Sequence, residues 1–168
     1  MKICIIGTGY VGLVSGTCFA ELGNNVICVD NNKQKIDKLN SCIIPIYEPG
    51  LEELILRNSK QNRLKFSTDI NSSIKNSDMI FICVGTPTNK KDNTADLKYV
   101  FSVTNSIKQN LNKYKIIVTK STVPVTTGEK IEKILYSKKN KKKFEVVSNP
   151  EFLREGEAIR DFVYPDRV

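Results

Sequence analysis

A doubly wound α/β domain, with a mostly parallel sheet and helices on both faces, is predicted by three observations. Short apolar runs alternate with longer amphipathic ones along the whole chain. The apolar runs are continuous rather than alternating, the pattern of parallel strands covered on both sides. The first run leads directly into Gly7-Thr8-Gly9-Tyr10-Val11-Gly12, a G-x-G-x-x-G placed between a strand and a helix. Strands separated by helices imply βαβ units with right-handed crossovers.

The elements follow in order. Residues 2–6 (KICII) form a buried strand and residues 10–22 a helix. Asn25 to Val29 is the second strand, and residues 32–40 are helical. Pro45, Pro49 and Gly50 make residues 41–50 a loop. A helix runs from Leu51 to Asn58, and Leu64 to Ser67 is a short strand. Met79 to Val84 is a strong strand. Residues 96–111 are helical, with Leu97, Val100, Phe101, Ile107 and Leu111 on or near one face. Ile116 to Thr119 is a strand, Thr127 to Tyr136 a helix, and Phe144 to Val147 the sixth strand. The 168 residues form one domain, 40% hydrophobic and 26% charged, as in ordinary globular proteins.

The glycine spacing has a chemical reason. Gly7 allows the tight turn out of the strand, Gly9 lets a pyrophosphate approach the backbone, and Gly12 lets the helix pack on the sheet. The first amides of the helix, with Thr8, Tyr10 and Val11, then face the phosphates. Asp30 stands at the end of the second strand, 18 residues beyond Gly12. There it accepts ribose hydroxyls and repels a 2′-phosphate, which favours NAD over NADP in this Rossmann-type reading. Lys35 is the nearby base that could instead meet such a phosphate. FAD uses the same fingerprint and is the competing ligand.

Three later loops fall beyond the carboxyl ends of strands, where ligands of open α/β sheets bind. Val84-Gly85-Thr86-Pro87-Thr88 offers a glycine and hydroxyls for ribose or nicotinamide. Lys120-Ser121-Thr122-Val123-Pro124 offers hydroxyls and an ammonium. Ser148-Asn149-Pro150-Glu151-Phe152-Leu153-Arg154-Glu155-Gly156 offers two carboxylates at i, i+4, which share a face if the segment is helical. Asn149-Pro150 reads as a helix-start signal.

Composition excludes some chemistry. Histidine is absent, which removes His-based zinc sites and Ser-His or Cys-His pairs, and no metal is expected. Cys4, Cys18, Cys28, Cys42 and Cys83 form no C-x-x-C and read as small buried hydrophobes. The net charge of +8 owes much to Lys138-Lys139-Asn140-Lys141-Lys142-Lys143. No aromatic residues interleave there, so it reads as a solvated loop rather than a nucleic-acid contact. No apolar run nears the roughly 20 residues of a membrane helix. The start is too short for a signal peptide, so a cytoplasmic protein is expected.

GTGYVG at Gly7–Gly12, Tyr47-Glu48-Pro49-Gly50-Leu51, Gly85-Thr86-Pro87-Thr88, Lys120-Ser121-Thr122-Val123-Pro124, SNPEFLREG at Ser148–Gly156 and Pro165-Asp166-Arg167-Val168 occur in one order. In this the chain resembles the UDP-glucose 6-dehydrogenases, within a wider family that includes GDP-mannose and UDP-N-acetylmannosamine dehydrogenases. The YEPGL and SNPEFLREG forms look most like the UDP-glucose branch. The resemblance implies oxidation of the C6 hydroxymethyl of UDP-glucose to a carboxylate by two hydride transfers to NAD, through a cysteine-bound thiohemiacetal and thioester.

On that resemblance, Gly7 to Gly12, Asp30 and Lys35 hold the adenosine half of NAD, and Val84 to Thr88 with Ser121, Thr122 and Val123 lie nearer the nicotinamide. Thr122 and Glu151 match positions that hold or activate the catalytic water. Glu151, Phe152, Leu153, Arg154 and Glu155 match the substrate contact, with Glu155 close to both ligands. The family's nucleophile lies in a G-G-x-C-x-x-K-D motif that this sequence lacks, and its oxyanion lysine and asparagine lie beyond residue 168. The run Val123-Pro124-Val125-Thr126-Thr127-Gly128 carries its glycine later than the family's V-P-V-G-T-T. The resemblance therefore implies the N-terminal NAD-binding domain of a longer enzyme, inactive alone. The central helix that forms a homodimer and the UDP-sugar-binding domain would lie outside it. The alternatives are the other sugar-nucleotide branches or a non-catalytic NAD-binding module.

Overall fold

In the computed structural model, which describes residues 1–90, 93–140 and 143–165, six strands make one sheet. They are β1 (Lys2–Ile6), β2 (Asn25–Val29), β3 (Leu64–Ser67), β4 (Met79–Ile82), β5 (Lys115–Thr119) and β6 (Phe144–Ser148). Their order across the sheet is β3-β2-β1-β4-β5-β6, and every neighbouring pair is parallel. The helices are α1 (Tyr10–Glu21), α2 (Lys33–Asn40), α3 (Leu51–Lys60), α4 (Ile70–Asn76), α5 (Lys98–Asn110), α6 (Thr127–Leu135) and α7 (Ala158–Val163). This is the predicted doubly wound architecture, with the sequence reversing direction between β1 and β4.

The continuous apolar strands are explained by two cores, one on each face. Ile3 and Ile5 of β1 join Leu13, Val14, Cys28, Ile55 and Phe81 on the face covered by α1 and α3. Cys4 and Ile6 join Ile80, Ile82, Val100, Ile107, Ile117 and Ile131 on the other. Edge strand β6 departs from this pattern, because Val147 remains 42% exposed. On α5 the buried stripe runs through Val100, Val103 and Ile107, and Phe101 is only half-buried.

Several boundaries differ from expectation. Strand β4 ends at Ile82, and Cys83 and Val84 already belong to the following loop. Helix α4 was not foreseen; Asp69 caps it by accepting from the Ser72 amide at 3.0 Å. Helix α7 was not foreseen either, and no helix starts at Asn149-Pro150. Cys42 is half-buried with φ 61°, unlike the four buried cysteines. Lys138 and Lys139 are exposed, while Lys141 and Lys142 lie outside the described residues, as do Asp166, Arg167 and Val168 of the final motif. Among the described residues no helix is long and apolar enough to cross a membrane, and no group of His, Cys, Asp and Glu could hold a metal ion.

Register positions the site. Ser67, Val29, Ile6, Ile82, Thr119 and Ser148 pair in sequence across all six strands, so the strands end on one line. The residues that follow that line are Thr68, Asp30, Gly7, Cys83, Lys120 and Asn149. The glycine turn, Asp30 and the loops after β4, β5 and β6 therefore leave the sheet from the same edge.

Candidate cofactor and substrate site

The glycine loop is shaped by close approach. A Cβ on Gly7 would lie 2.5 Å from the Cys83 carbonyl oxygen, and Gly7 has φ 104°. A Cβ on Gly12 would lie 1.9 Å from the Gly7 carbonyl oxygen, so helix and turn can touch only without it. At Gly9 a Cβ would meet nothing within 4 Å. Gly9 is also the N-cap of α1 and brings no side chain to its amides. The open space lies at the positive end of the helix, where an anionic group is stabilised.

Asp30 closes the turn from the other side. Its Oδ2 accepts from the Thr8 amide at 3.0 Å and from the Thr8 hydroxyl at 2.7 Å, and its Oδ1 accepts from the Asn32 amide at 3.0 Å. Lys35 Nζ donates to Oδ2 at 3.3 Å. Burial alone would raise the Asp30 pKa. The Asn32 and Thr8 hydrogen bonds, with the Lys35 charge, outweigh it and hold the carboxyl below its ordinary value. Lys35 is thus paired with Asp30. Gly7, Gly9, Asp30, Lys35, Val84 and Gly85 all line one cleft of about 520 Å³, floored by Ile6, Val29 and Cys83 and walled by Tyr99, Ser102 and Ser106 of α5.

The two loops after β4 and β5 are joined. Thr86 Oγ1 donates to the Thr122 carbonyl at 2.9 Å, and Ser121 Oγ donates to the Val84 carbonyl at 2.7 Å. The Ser121 hydroxyl therefore ties the loops together. Thr122 is exposed and Val123 half-buried. Lys120 is 7% exposed and donates to Asn149 Oδ1 at 3.3 Å. Burial lowers its pKa from the usual lysine value, opposed by the charge of Glu151.

The stretch 149–157 is not helical, so Glu151 and Glu155 do not share a helix face. Side chains take the amides that a helix ladder would use. Glu151 accepts from the Leu153 amide at 2.9 Å, and Asp161 accepts from the Arg154 amide at 2.9 Å. Glu48 accepts from the amides of Gly156 at 2.8 Å and Ala158 at 2.9 Å. The Arg154 guanidinium folds back on Asp161 through contacts of 3.0 and 2.6 Å, and these bonds pull the Asp161 carboxyl down to about 2. Glu151 is half-buried, whereas Phe152 and Glu155 are exposed.

Two features escaped the sequence reading. The Tyr10 hydroxyl donates to Glu48 and to the Arg154 carbonyl. Glu48 itself is buried, only 6% exposed. Its isolation in an apolar stretch, Ile43-Ile44-Pro45-Ile46-Tyr47, was the available signal. A buried carboxylate needs donors.

Comparison with known proteins gives a consistent answer. The pattern of the UDP-glucose/GDP-mannose dehydrogenase family, NAD binding domain, matches residues 1–168. UDP-glucose 6-dehydrogenase TuaD of Bacillus subtilis is 54% identical, over 99% of this chain and 36% of that protein. A UDP-glucose 6-dehydrogenase of Rhizobium meliloti is 50% identical, over 100% of this chain and 38% of that one. Among solved structures, a UDP-glucose dehydrogenase from Pyrobaculum islandicum superposes with a TM-score of 0.92 at 38% identity, covering 99% of this chain and 39% of that one. A GDP-mannose dehydrogenase from Pseudomonas aeruginosa superposes at 0.91 with 40% identity, covering 98% and 39%. The chain spans under two-fifths of the length of these curated relatives.

Proposed function

The chain belongs to the UDP-glucose/GDP-mannose dehydrogenase family as an NAD binding domain, and on that premise we propose that it forms the NAD-binding half of an enzyme oxidising UDP-glucose to UDP-glucuronate. The observation that carries this reading is the single line on which all six strands end. It sets the glycine turn, Asp30, the 84–88 and 120–124 loops and Glu151 along one edge.

The residues fit the cofactor. The space over Gly9 and the free amides of α1 suit a pyrophosphate, and the ionised Asp30 suits ribose hydroxyls. Lys35, held by Asp30, is not free to receive a 2′-phosphate, which favours NAD over NADP. Val84 to Thr88 and Ser121 to Val123 would hold the nicotinamide end. NAD, when bound, is the hydride acceptor.

Glu151 stands beyond β6, near the buried ammonium of Lys120. We assign it, with Thr122, to the water that hydrolyses the thioester. Hydrolysis adds the oxygen that turns the twice-oxidised carbon into a carboxylate and returns the thiol. That thiol is not one of the buried cysteines here. Burial pushes Cys4, Cys18 and Cys83 up to about 12 and Cys28 well above its ordinary value, so they stay protonated. Residues 151–155 are assigned to the sugar nucleotide. The same reading makes the assembled enzyme a cytoplasmic homodimer joined through residues outside this chain.

The test is a chimera in which these 168 residues replace the matching part of the Bacillus subtilis relative. The expected result is two NADH formed per UDP-glucose consumed. In the chimera, Glu151→Gln should slow turnover by about 10² to 10⁴ and accumulate a covalent sugar-nucleotide adduct visible by mass spectrometry. A folded chimera that binds both ligands and forms no NADH overturns the proposal.

A further inference from the structure

Glu48 is a buried carboxylate with no cation beside it among the described residues. Its donors are neutral and come from distant parts of the chain. The Tyr10 hydroxyl donates to Oε2, the Gly156 amide donates to Oε2 at 2.8 Å, and the Ala158 amide donates to Oε1 at 2.9 Å. The Gly156 amide also lies 3.3 Å from the Tyr10 oxygen. Its neighbours in sequence are apolar, from Ile43 to Ile46 and at the buried Leu51. An apolar side chain would pack there without desolvating a charge. Stability alone therefore gives a weak reason for an acid at this point.

The placement of the donors gives a stronger one. Tyr10 follows Gly9, so its backbone lies in the helix turn that faces the phosphates while its side chain reaches the 154–158 segment. Gly156 and Ala158 flank the end of the segment that carries Glu151 and Glu155. Tyr10 stays protonated and able to donate, because burial and Glu48 raise its pKa to about 12.

We infer that Glu48 is a positioning residue: through Tyr10 it clamps the segment bearing Glu151 and Glu155 to the phosphate-facing turn of α1. The inference rests on the reading that residues 151–155 face the substrate. Its consequence is that a cofactor seated on α1 tightens the 151–158 segment, so the second ligand meets a segment already in place. The energy for this comes from rigidity rather than from a direct contact between cofactor and segment.

Amide hydrogen exchange, followed by NMR on the 168-residue chain with and without NAD, tests the clamp. In the wild type the Gly156 and Ala158 amides should exchange slowly, and NAD should slow residues 151–158 further. Glu48→Ala should speed both amides at least tenfold without NAD, while the central strands keep their protection. Glu48→Gln keeps the shape and one acceptor oxygen, and should speed at least one of the two. Tyr10→Phe should abolish the NAD-induced slowing across 151–158. Unchanged Gly156 and Ala158 exchange in Glu48→Ala, or NAD-induced slowing that survives Tyr10→Phe, overturns the inference. Failure of the wild type to bind NAD counts against the cofactor reading instead, and the NAD-free comparison of wild type with Glu48→Ala then decides the clamp.

Discussion

Asp30 takes both hydrogens that Thr8 can donate, from the amide at 3.0 Å and the hydroxyl at 2.7 Å. The end of β2 is thereby bolted to the glycine turn, and the carboxylate proposed to face the ribose also shapes the turn.

Removing that carboxylate should therefore show two effects. Asp30→Ala leaves the fully buried Thr8 without its acceptor, at a cost of about 1–3 kcal/mol in unfolding free energy. It also removes the charge that repels a 2′-phosphate, so the preference for NAD over NADP should shrink. Calorimetry with both cofactors measures this, and tighter NADP binding by the wild type would refute the assignment. Because the folded pKa of Asp30 lies below 3.8, its contribution is complete above that pH. It disappears only as the pH falls through the lower folded value.

The glycines of the turn should separate folding from binding. Gly12→Ala puts a Cβ 1.9 Å from a backbone oxygen, so the turn must open and stability must fall. Gly9→Ala meets no protein atom within 4 Å and should leave the melting temperature unchanged. It should nonetheless weaken NAD binding at least tenfold by filling the pyrophosphate space. Equal loss of stability in both variants would contradict this division.

Alkaline pH should unfold the chain early. The thiols of Cys4, Cys18 and Cys83 rise to about 12 when folded, from an ordinary 9.0, and Cys28 is raised as well. A raised folded pKa contributes stability that is complete below pH 9 and is lost as the pH climbs toward 12. Lys115 works the other way. Burial is the main cause that lowers it to about 8 from 10.5, so the unfolded chain takes up a proton in between. Tyr10 adds to the loss and Lys120 opposes it; the four thiols outweigh the two lysines, so stability falls as the pH rises above 9. Urea titrations from pH 8 to 10 test this, and a flat profile would show that the thiols are not buried as described.

Thr126 offers a stabilising change. It is exposed, caps α6 without a side-chain hydrogen bond and sits at φ 75°, where a β-branched residue is strained. This is the place that the V-P-V-G-T-T run gives to glycine. Thr126→Gly should raise stability by about 0.5–1 kcal/mol, the relief of left-handed strain exceeding glycine's added chain entropy. A lower melting temperature would mean that the threonine makes a contact worth keeping.

All six strands and five helices were legible in the sequence, most of them because they carry a long apolar period or a continuous run. Helices α4 and α7 were not. With seven and six residues, they are too short to carry a helical period, and only Ile70 and Ile74 mark α4. The signal missed at α4 was Asp69, an N-cap acid one residue before the helix. The glycine turn and Asp30 were legible because their spacing is local. The joints at Glu48 were not, since its partners lie 38, 108 and 110 residues away. Asn149-Pro150 read as a helix start, which would have put Glu151 and Glu155 on one face, but backbone amides were captured by Glu151, Asp161 and Glu48 instead.

The strand order also divides the route by which the chain assembles. Residues 2–67 build β1, β2 and β3, and residues 79–148 build β4, β5 and β6, each half from neighbours in sequence. The halves meet side by side where Ile3 to Ile6 pairs with Met79 to Ile82, the latest contact by loop-closure entropy. That seam is the floor of the dinucleotide cleft, lined by Ile6 and Gly7 from one half and Cys83 and Val84 from the other. A molecule seated there spans both halves at once, so its binding energy bears on the docking step itself, slowing separation of the halves and with it the opening of the whole chain.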